Sequence, residues 1–474
     1  MILPLISILS ISCDFQDSKE GNDYQKIGKL KPRSANEIDS SPISIGGETL
    51  DRDYADYHQY KKYLGPLGAK KIRLQAGWAK TEKEKGIYDW EWLDAIIDDA
   101  ISQGVAPWLQ ASYGNPIYDG GGGKNLGAGI PNSSEALTAW DNWVRTMATR
   151  YGDKVKIWEV WNEGDGKRNS DPQDYVSLYL RTAEIIREEV PAARMYALSL
   201  ARPYNTEYTE YFLKALQAED KLHLVDEITF HGYLKNPSFA YTKLKLLREV
   251  VDRYDPGILL HQGEQGAPST YIETGALKKY PWTEASQAKW ALRRLLGDLG
   301  NGYQTLYFTM IDVYYGNNTD THIKKLNTKG LLASDETLQV KHIKPSYYAV
   351  QNLCAVMDSS FVSKGQPGYS ITIDSAYSVY HFEQKDTGYN MIAAWISQKI
   401  PADTSAYIPI DLTLERVALQ DPVMIDLLSG NVFDIAASKI EREAGQITFA
   451  NLPLYDAPIL LAEKALVRII PDNQ

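Results

Sequence analysis

The chain has 474 residues, with 44% hydrophobic and 23% charged side chains, the composition of a globular protein rather than a disordered or fibrous one. A formal net charge of −11 argues against a nucleic-acid partner, because phosphates require a basic surface. Its length exceeds what one core ordinarily holds and predicts two domains.

Residues 2–12 form an apolar run that ends at Cys13 and is followed by Asp14. The run is too short to span a bilayer and suits the apolar centre of an export signal over 1–12. Its closing cysteine resembles the lipid acceptor of bacterial lipoproteins. That reading expects an exported protein, held to a membrane only through Cys13 and facing the periplasm or the cell surface. No basic stretch precedes the run, and Ser10 stands where leucine is usual, so plain secretion is the alternative. A lipidated Cys13 leaves Cys354 alone, and no disulfide is expected. Residues 13–41 are polar, charged and without hydrophobic period, which predicts a flexible tether.

From 42 to 358, short apolar runs alternate with amphipathic ones, the pattern of a parallel α/β architecture. The predicted strands are Ile43–Gly46, Ile72–Ala76, Ala106–Ala111, Ile157–Trp161, Met195–Leu200, Glu227–Phe230, Ile258–Gln262 and Thr305–Ile311. Helices are expected over Trp92–Ser102, Ser134–Tyr151, Tyr175–Glu189, Thr206–Ala218, Tyr241–Tyr254, Glu284–Leu299 and Pro345–Met357. Eight such units predict a (β/α)8 barrel. An open doubly wound sheet is the competitor, but no glycine-rich dinucleotide turn follows the first strand. Beyond residue 358 the texture becomes that of antiparallel strands: Ser370–Ile373, Ala376–Gln384, Tyr389–Ile396, Ala406–Leu412, Arg416–Asp426 and Gln446–Phe449. Thr387-Gly388, Ser429-Gly430 and Ala444-Gly445 supply turns, and 359–474 reads as a β-sandwich.

Two strands stop at acids. Lys156-Ile-Trp-Glu-Val-Trp-Asn-Glu-Gly-Asp165 buries Ile157, Val160 and Trp161 and then reaches Asn162-Glu163. Gly257-Ile-Leu-Leu-His-Gln-Gly-Glu-Gln265 is an apolar run that ends at Glu264. In a barrel, the C-terminal strand ends converge on one pocket, so Glu163 on strand 4 and Glu264 on strand 7 are expected to face each other. Two opposed carboxyls are the equipment for glycosidic bond hydrolysis, and their proximity is expected to keep one protonated. The 32 tyrosines and 11 tryptophans suit a carbohydrate partner, since flat amphipathic rings stack on sugar faces, although packing accounts for most of them.

The Trp158-Glu-Val-Trp-Asn-Glu163 motif with a strand-7 glutamate resembles clan A of the retaining glycoside hydrolases, most nearly family 39, known for β-xylosidases and α-L-iduronidases. The resemblance implies Glu163 as general acid/base, Glu264 as nucleophile and Asn162 as the partner of the sugar 2-hydroxyl. It further implies that Arg73 on strand 2 holds the nucleophile ionised, an ion pair with Glu159 being the structural alternative. By the same likeness His231 and Tyr233, ending strand 6, bond the nucleophile or the substrate. Gly164 stands where proline commonly follows the acid, and Gln265 follows the nucleophile, which puts substrate identity in doubt. On strand 8, Phe308 and Asp312 occupy the region where clan members place a sugar-stacking tryptophan. From position alone, Tyr113 and Asn115 after strand 3 are candidates for sugar hydroxyls, and Trp78 after strand 2 for stacking. His261, inside strand 7, reads as a core histidine.

The glycine run Gly120–Gly123, in a loop continuing to Asn132, and the insertion from Tyr315 to Ile343 are expected to border the pocket and favour exo action. The glycine run lacks the Gly-Lys-Ser/Thr ending of a phosphate loop. Neither a metal cluster nor a Gly-x-Ser-x-Gly elbow is evident, and no cofactor is expected. The rival readings are a catalytically inactive glycan-binding protein on the same scaffold, an inverting hydrolase, and an endo-acting glycanase or transglycosylase.

Overall fold

The computed structural model describes residues 23–166, 171–315, 326–404 and 406–472, so the apolar run and Cys13 lie outside the described residues. Eight strands close into a barrel: β1 (Ile43–Gly46), β2 (Lys71–Gln75), β3 (Ala106–Ala111), β4 (Ile157–Val160), β5 (Arg194–Leu200), β6 (Glu227–Phe230), β7 (Leu259–Gln262) and β8 (Gln304–Tyr307). Every pair is parallel, and β8 returns to β1 through Ile43↔Thr305. The predicted strand ends shift by a residue or so except in β8, which stops at Tyr307 instead of Ile311. There the backbone leaves the ladder, because Phe308 N–H donates to Gln265 O at 2.7 Å and Met310 N–H donates to Gly46 O at 2.9 Å.

Alternation along the strands sorts their side chains between two environments. Trp158 and Val160 of β4 join the large core under the outer helices, whereas Ile157 joins an inner cluster with Trp108, Tyr196 and Leu306. Glu159, on the inner face with Ile157, belongs to a polar layer with Arg73, Gln110 and Thr229. At the N-terminal end of the barrel, Glu227 accepts from Arg194 at 2.6 Å and lies 3.0 Å from His261 Nδ1. His261 is therefore a buried structural histidine, as its place in the strand suggested.

The helices start at local caps. Asp171 accepts from Gln173 N–H ahead of Pro172–Glu189, with Pro172 at the first turn, and Thr283 and Ser286 cap Glu284–Gly300 reciprocally. Glu284–Gly300 is buried on nearly every side despite Lys289, Arg293 and Arg294 because the β-sandwich covers its outer face. Arg293 donates to the Ser397 and Lys399 carbonyls, and Lys289 pairs with Asp456 at 3.0 Å. A helix over Tyr57–Leu67 was not predicted. Gly65 and Pro66 near its end hide the inward face formed by Tyr60, Leu64 and Leu67.

The sandwich has an eight-stranded and a four-stranded antiparallel sheet, with Val379, Ile392, Leu412, Met424, Phe449 and Leu461 between them. Of the predicted Arg416–Asp426 strand only Pro422–Asp426 forms, because Arg416 turns through φ 57°. The tether prediction for 13–41 fails over its described part. Tyr24–Leu30 is a strand of the larger sheet, Tyr24 opposite Ile435, and Ala35 and Ile38 are buried beyond it. An added strand is held by backbone hydrogen bonds, which need no hydrophobic period in the sequence. Gly28 has φ 152°, and a Cβ there would lie 2.2 Å from Ile470 O. Removing residues 1–30 is expected to lower the thermal unfolding midpoint by several degrees, measured by circular dichroism. An unchanged midpoint would show that the strand adds no stability.

Candidate active site

β4 carries Glu159 into the barrel and ends at Trp161-Asn162-Glu163, where Trp161 (φ 64°) and Glu163 (φ 52°) take left-handed backbone. Such conformations cost about 1–3 kcal/mol each in non-glycine residues and persist only where their surroundings fix them. Here Trp161 N–H donates to Ala111 O and Glu163 N–H to Ser199 O, both at 3.0 Å. Gly164 follows because a Cβ would meet the Tyr175 ring at 2.8 Å. β5 has an irregularity at Leu198 and Ser199, both left-handed, that turns Ser199 Oγ toward the site.

Arg73 is fully buried on β2 and organises the polar layer. Nε donates to Glu159 Oε2 at 2.7 Å, Nη1 to Glu48 Oε1 at 2.9 Å and Glu264 Oε2 at 3.1 Å, and Nη2 to Asn162 Oδ1 at 2.8 Å and Ser199 Oγ at 2.9 Å. The ion pair with Glu159 and the contact with Glu264 thus exist together. Tyr233 OH donates to Glu264 Oε1 at 2.9 Å, so both oxygens of Glu264 are fixed. Burial opposes ionisation of Glu264, but His231, Arg73 and these hydrogen bonds outweigh it and lower its pKa below the ordinary 4.5. Gln265 turns away and donates to Asp298 Oδ2 at 2.7 Å, anchoring the end of β7 to the helix behind it.

Glu163 approaches from the other side. His231 Nδ1 lies 2.9 Å from Glu163 Oε1, and His231 Nε2 lies 2.9 Å from Ser199 Oγ. With Ser199 donating to Asn162 Oδ1 at 3.1 Å, its oxygen accepts from Arg73 and from Nε2–H, which leaves Nδ1 and Glu163 to share one proton. Burial disfavours imidazolium, yet the two carboxylates prevail and the His231 pKa is raised. One ligand atom each of Glu163, His231 and Glu264 lies within 4.8 Å of the others. That spacing would admit a metal ion, but the hydrogen bonds to Arg73, Tyr233 and Ser199 already account for it. Asn162 Nδ2 donates to Tyr113 OH at 3.0 Å, and Gln75 Nε2 donates to the same oxygen at 3.2 Å.

Glu163, Glu264, Asn162, Arg73, His231, Tyr233 and Tyr113 therefore meet in one network. Trp78 does not: it is fully buried, stacks on Tyr118 at 5.5 Å and donates to Glu82. Asn115 donates to the Glu82 carbonyl at 2.7 Å and is a loop anchor rather than a sugar ligand. Asp312 is taken by Lys344 at 2.6 Å and Gly330 N–H at 2.8 Å, a buried pair that holds the loop after β8. Phe308 joins the inner apolar cluster and is 6% exposed. Sequence reasoning missed Glu48, Ser199, Gln75 and Lys329. The Lys329 ammonium is buried 5.5 Å from the Tyr233 ring centroid, and burial lowers its pKa to about 8. A strand-end position marked Glu163, but no local pattern marks a loop glutamate or a bulged serine.

No protein-family model matches the chain. A stretch of 124 residues is 30% identical to a 6-phospho-β-glucosidase of Clostridium longisporum, covering 23% of this chain and 24% of that one. The chain thus spans about a quarter of the length of the curated relatives it matches. Solved structures cover far more. A family 39 glycoside hydrolase from Bacteroides cellulosilyticus WH2 is 19% identical with TM-score 0.63, over 89% of this chain and 81% of that one. A monomeric β-xylosidase from Caulobacter crescentus CB15 is 15% identical with TM-score 0.59, over 92% and 97%. The fold, a (β/α)8 barrel with an appended β-sandwich, is shared with these family 39 structures.

Arg73→Met would leave Glu159 and Glu264 buried without their cation. A loss of about 3–5 kcal/mol in unfolding free energy is expected, read by chemical denaturation, as when one partner of a buried pair is removed. A loss below about 1 kcal/mol would show that the guanidinium does not hold the layer together.

Proposed function

We propose that the protein is a retaining glycoside hydrolase that cleaves oligo- or polysaccharides by double displacement, in an exo-acting mode. The observation that carries this reading is the approach of Glu163 and Glu264 to within 4.8 Å, oxygen to oxygen, in opposite electrostatic settings. Retaining enzymes hold their carboxyls about 5–5.5 Å apart, whereas inverting ones need about 6.5–9.5 Å to admit a water.

In this mechanism Glu264, held ionised by Arg73 and Tyr233, attacks the anomeric carbon as Glu163 passes its proton to the leaving oxygen. The C–O bond breaks and a glycosyl ester forms on Glu264. Glu163, now ionised beside His231, takes a proton from water, which attacks the anomeric carbon and frees Glu264. The proton shared across the 2.9 Å contact with His231 is the one that Glu163 passes on and then recovers from water. Exo action is favoured by the way the loops meet. Tyr54 OH donates to Asn125 of the glycine-rich loop at 3.0 Å, and its ring packs on Tyr315 of the β8 insertion at 5.1 Å. Export and lipidation of Cys13 are proposed on the apolar run alone; a Cys13→Ala chain that still incorporates labelled palmitate would refute the lipidation, and retention of the wild-type chain in the cytoplasm would refute the export.

Glu264→Ala should lose about 10⁴-fold or more in kcat on a cleavable aryl glycoside, and azide should restore turnover with an inverted glycosyl azide as product. Unchanged turnover would remove Glu264 from the nucleophile role. Glu163→Gln should spare aryl substrates with good leaving groups far more than natural linkages; equal losses would show that Glu163 does not protonate the leaving group. The lowered pKa of Glu264 places the acid limb of kcat/KM below pH 4.5. Tyr233→Phe removes a donor to the charged form, so that limb should move to higher pH, with about a 10- to 100-fold loss in rate.

A further inference from the structure

Glu48 lies just past β1, is 2% exposed and has no part in the mechanism above. Its Oε1 accepts from the same Arg73 nitrogen, Nη1, that serves Glu264. Three carboxyls therefore surround one guanidinium, those of Glu48 and Glu159 shut off from water, and full ionisation of all three would exceed the charge of Arg73 by two negative charges. Such charges are too costly to bury, and the least supported group keeps its proton.

The three carboxyls differ in their donors. Glu159 accepts from Arg73 Nε at 2.7 Å and Gln110 Nε2 at 2.8 Å on one oxygen, and from Thr229 Oγ1 on the other. Glu264 has a donor on each oxygen. Glu48 has Arg73 on Oε1, while Oε2 has no hydrogen-bond partner among the described residues. Gly46 supplies the room for this idle oxygen: a Cβ there would lie 2.1 Å from Oε2, and the backbone of Gly46 is not left-handed. Arg73 on β2, Glu264 after β7, Tyr233 after β6 and Tyr60 on the helix Tyr57–Leu67 are the titratable groups that face Glu48, with Glu159 of β4 behind Arg73.

We propose that Glu48 is a positioning residue that holds a proton while Glu264 is charged, so that the positive charge of Arg73 serves the nucleophile rather than a second carboxylate beside it. Burial, with the charge of Glu264 adding to it, raises the Glu48 pKa to about 7 despite Arg73, in keeping with this assignment. When Glu48 ionises, its charge draws on the same guanidinium and repels Glu264, and the nucleophile is held less firmly. The consequence for rate rests on the hydrolase reading; the protonation state does not.

The test uses the full chain with ¹³C-labelled glutamate, the Glu48 carboxyl signal being assigned by its loss in Glu48→Gln. A titration midpoint near 7 is expected without any substrate, and a midpoint at or below the ordinary 4.5 would overturn the proposal. Glu48→Ala removes the same signal and serves if the glutamine chain does not fold. On an aryl glycoside, kcat/KM of Glu48→Gln should stay within about threefold of wild type near pH 6, since its amide oxygen still accepts from Arg73. The ratio of variant to wild type should then rise about threefold or more above about pH 8. A flat ratio, or a loss of about a hundredfold near pH 6, would contradict the proposal. If no aryl glycoside is turned over at all, the hydrolase reading fails while the titration still decides the state of Glu48.

Discussion

A single buried guanidinium fixes the geometry of everything at the mouth of this barrel. Arg73 distributes its five N–H bonds over Glu159, Glu48, Glu264, Asn162 and Ser199, which come from four other strands or the loops beyond them. A planar fork that cannot lose its proton under ordinary conditions is suited to this, because its donors lie in fixed directions and its charge does not titrate. Each acid is thereby placed with respect to the others through a common rigid centre. The inner apolar cluster of Trp108, Ile157, Tyr196 and Leu306 fills the barrel interior and keeps this layer away from bulk water. In such surroundings hydrogen bonds strengthen, and any unpaired group becomes costly.

The two catalytic candidates differ because their neighbours differ, although both are glutamates. Glu264 receives a cation and a phenol, both favouring the charged form. Glu163 faces an imidazole with which it shares a proton, and its side chain is the more exposed, 20% against 13%. The difference lies in the partners: a permanent cation and a hydroxyl fix Glu264, whereas among the described residues an imidazole alone meets Glu163. Ser199 and Asn162 connect the halves: Ser199 touches Arg73, Asn162 and His231. A change at either acid is thus felt by the other through two short bonded paths.

What was legible in the sequence follows from what leaves a periodic or terminal mark. Barrel strands show as apolar runs, and an apolar run that halts at an acid shows Glu163 and Glu264. Arg73 was legible through the family resemblance, as an arginine on strand 2, with a pair to Glu159 as the alternative. Loop residues carry no such mark. Trp78, Asn115 and Asp312 sit at strand ends like the residues of the Arg73 network, but Glu82 and Lys344 draw them into structural contacts that only the folded chain reveals. Ser199 depends on left-handed backbone within β5, and Tyr24–Leu30 depends on a sheet edge formed by residues some four hundred positions away. Their partners are distant in the chain, so no local window contains the information.

If Glu264, clamped by Arg73 and Tyr233, is the nucleophile in bond cleavage, it carries the sugar as an ester during turnover. Protein quenched with acid during turnover of an activated glycoside, with deglycosylation slowed by Glu163→Ala, can be digested and its peptides weighed. A glycosyl adduct on the peptide bearing Glu264 is the expected result. An adduct confined to Glu48 or Glu159, or no adduct while product still accumulates in a burst-free reaction, would contradict it.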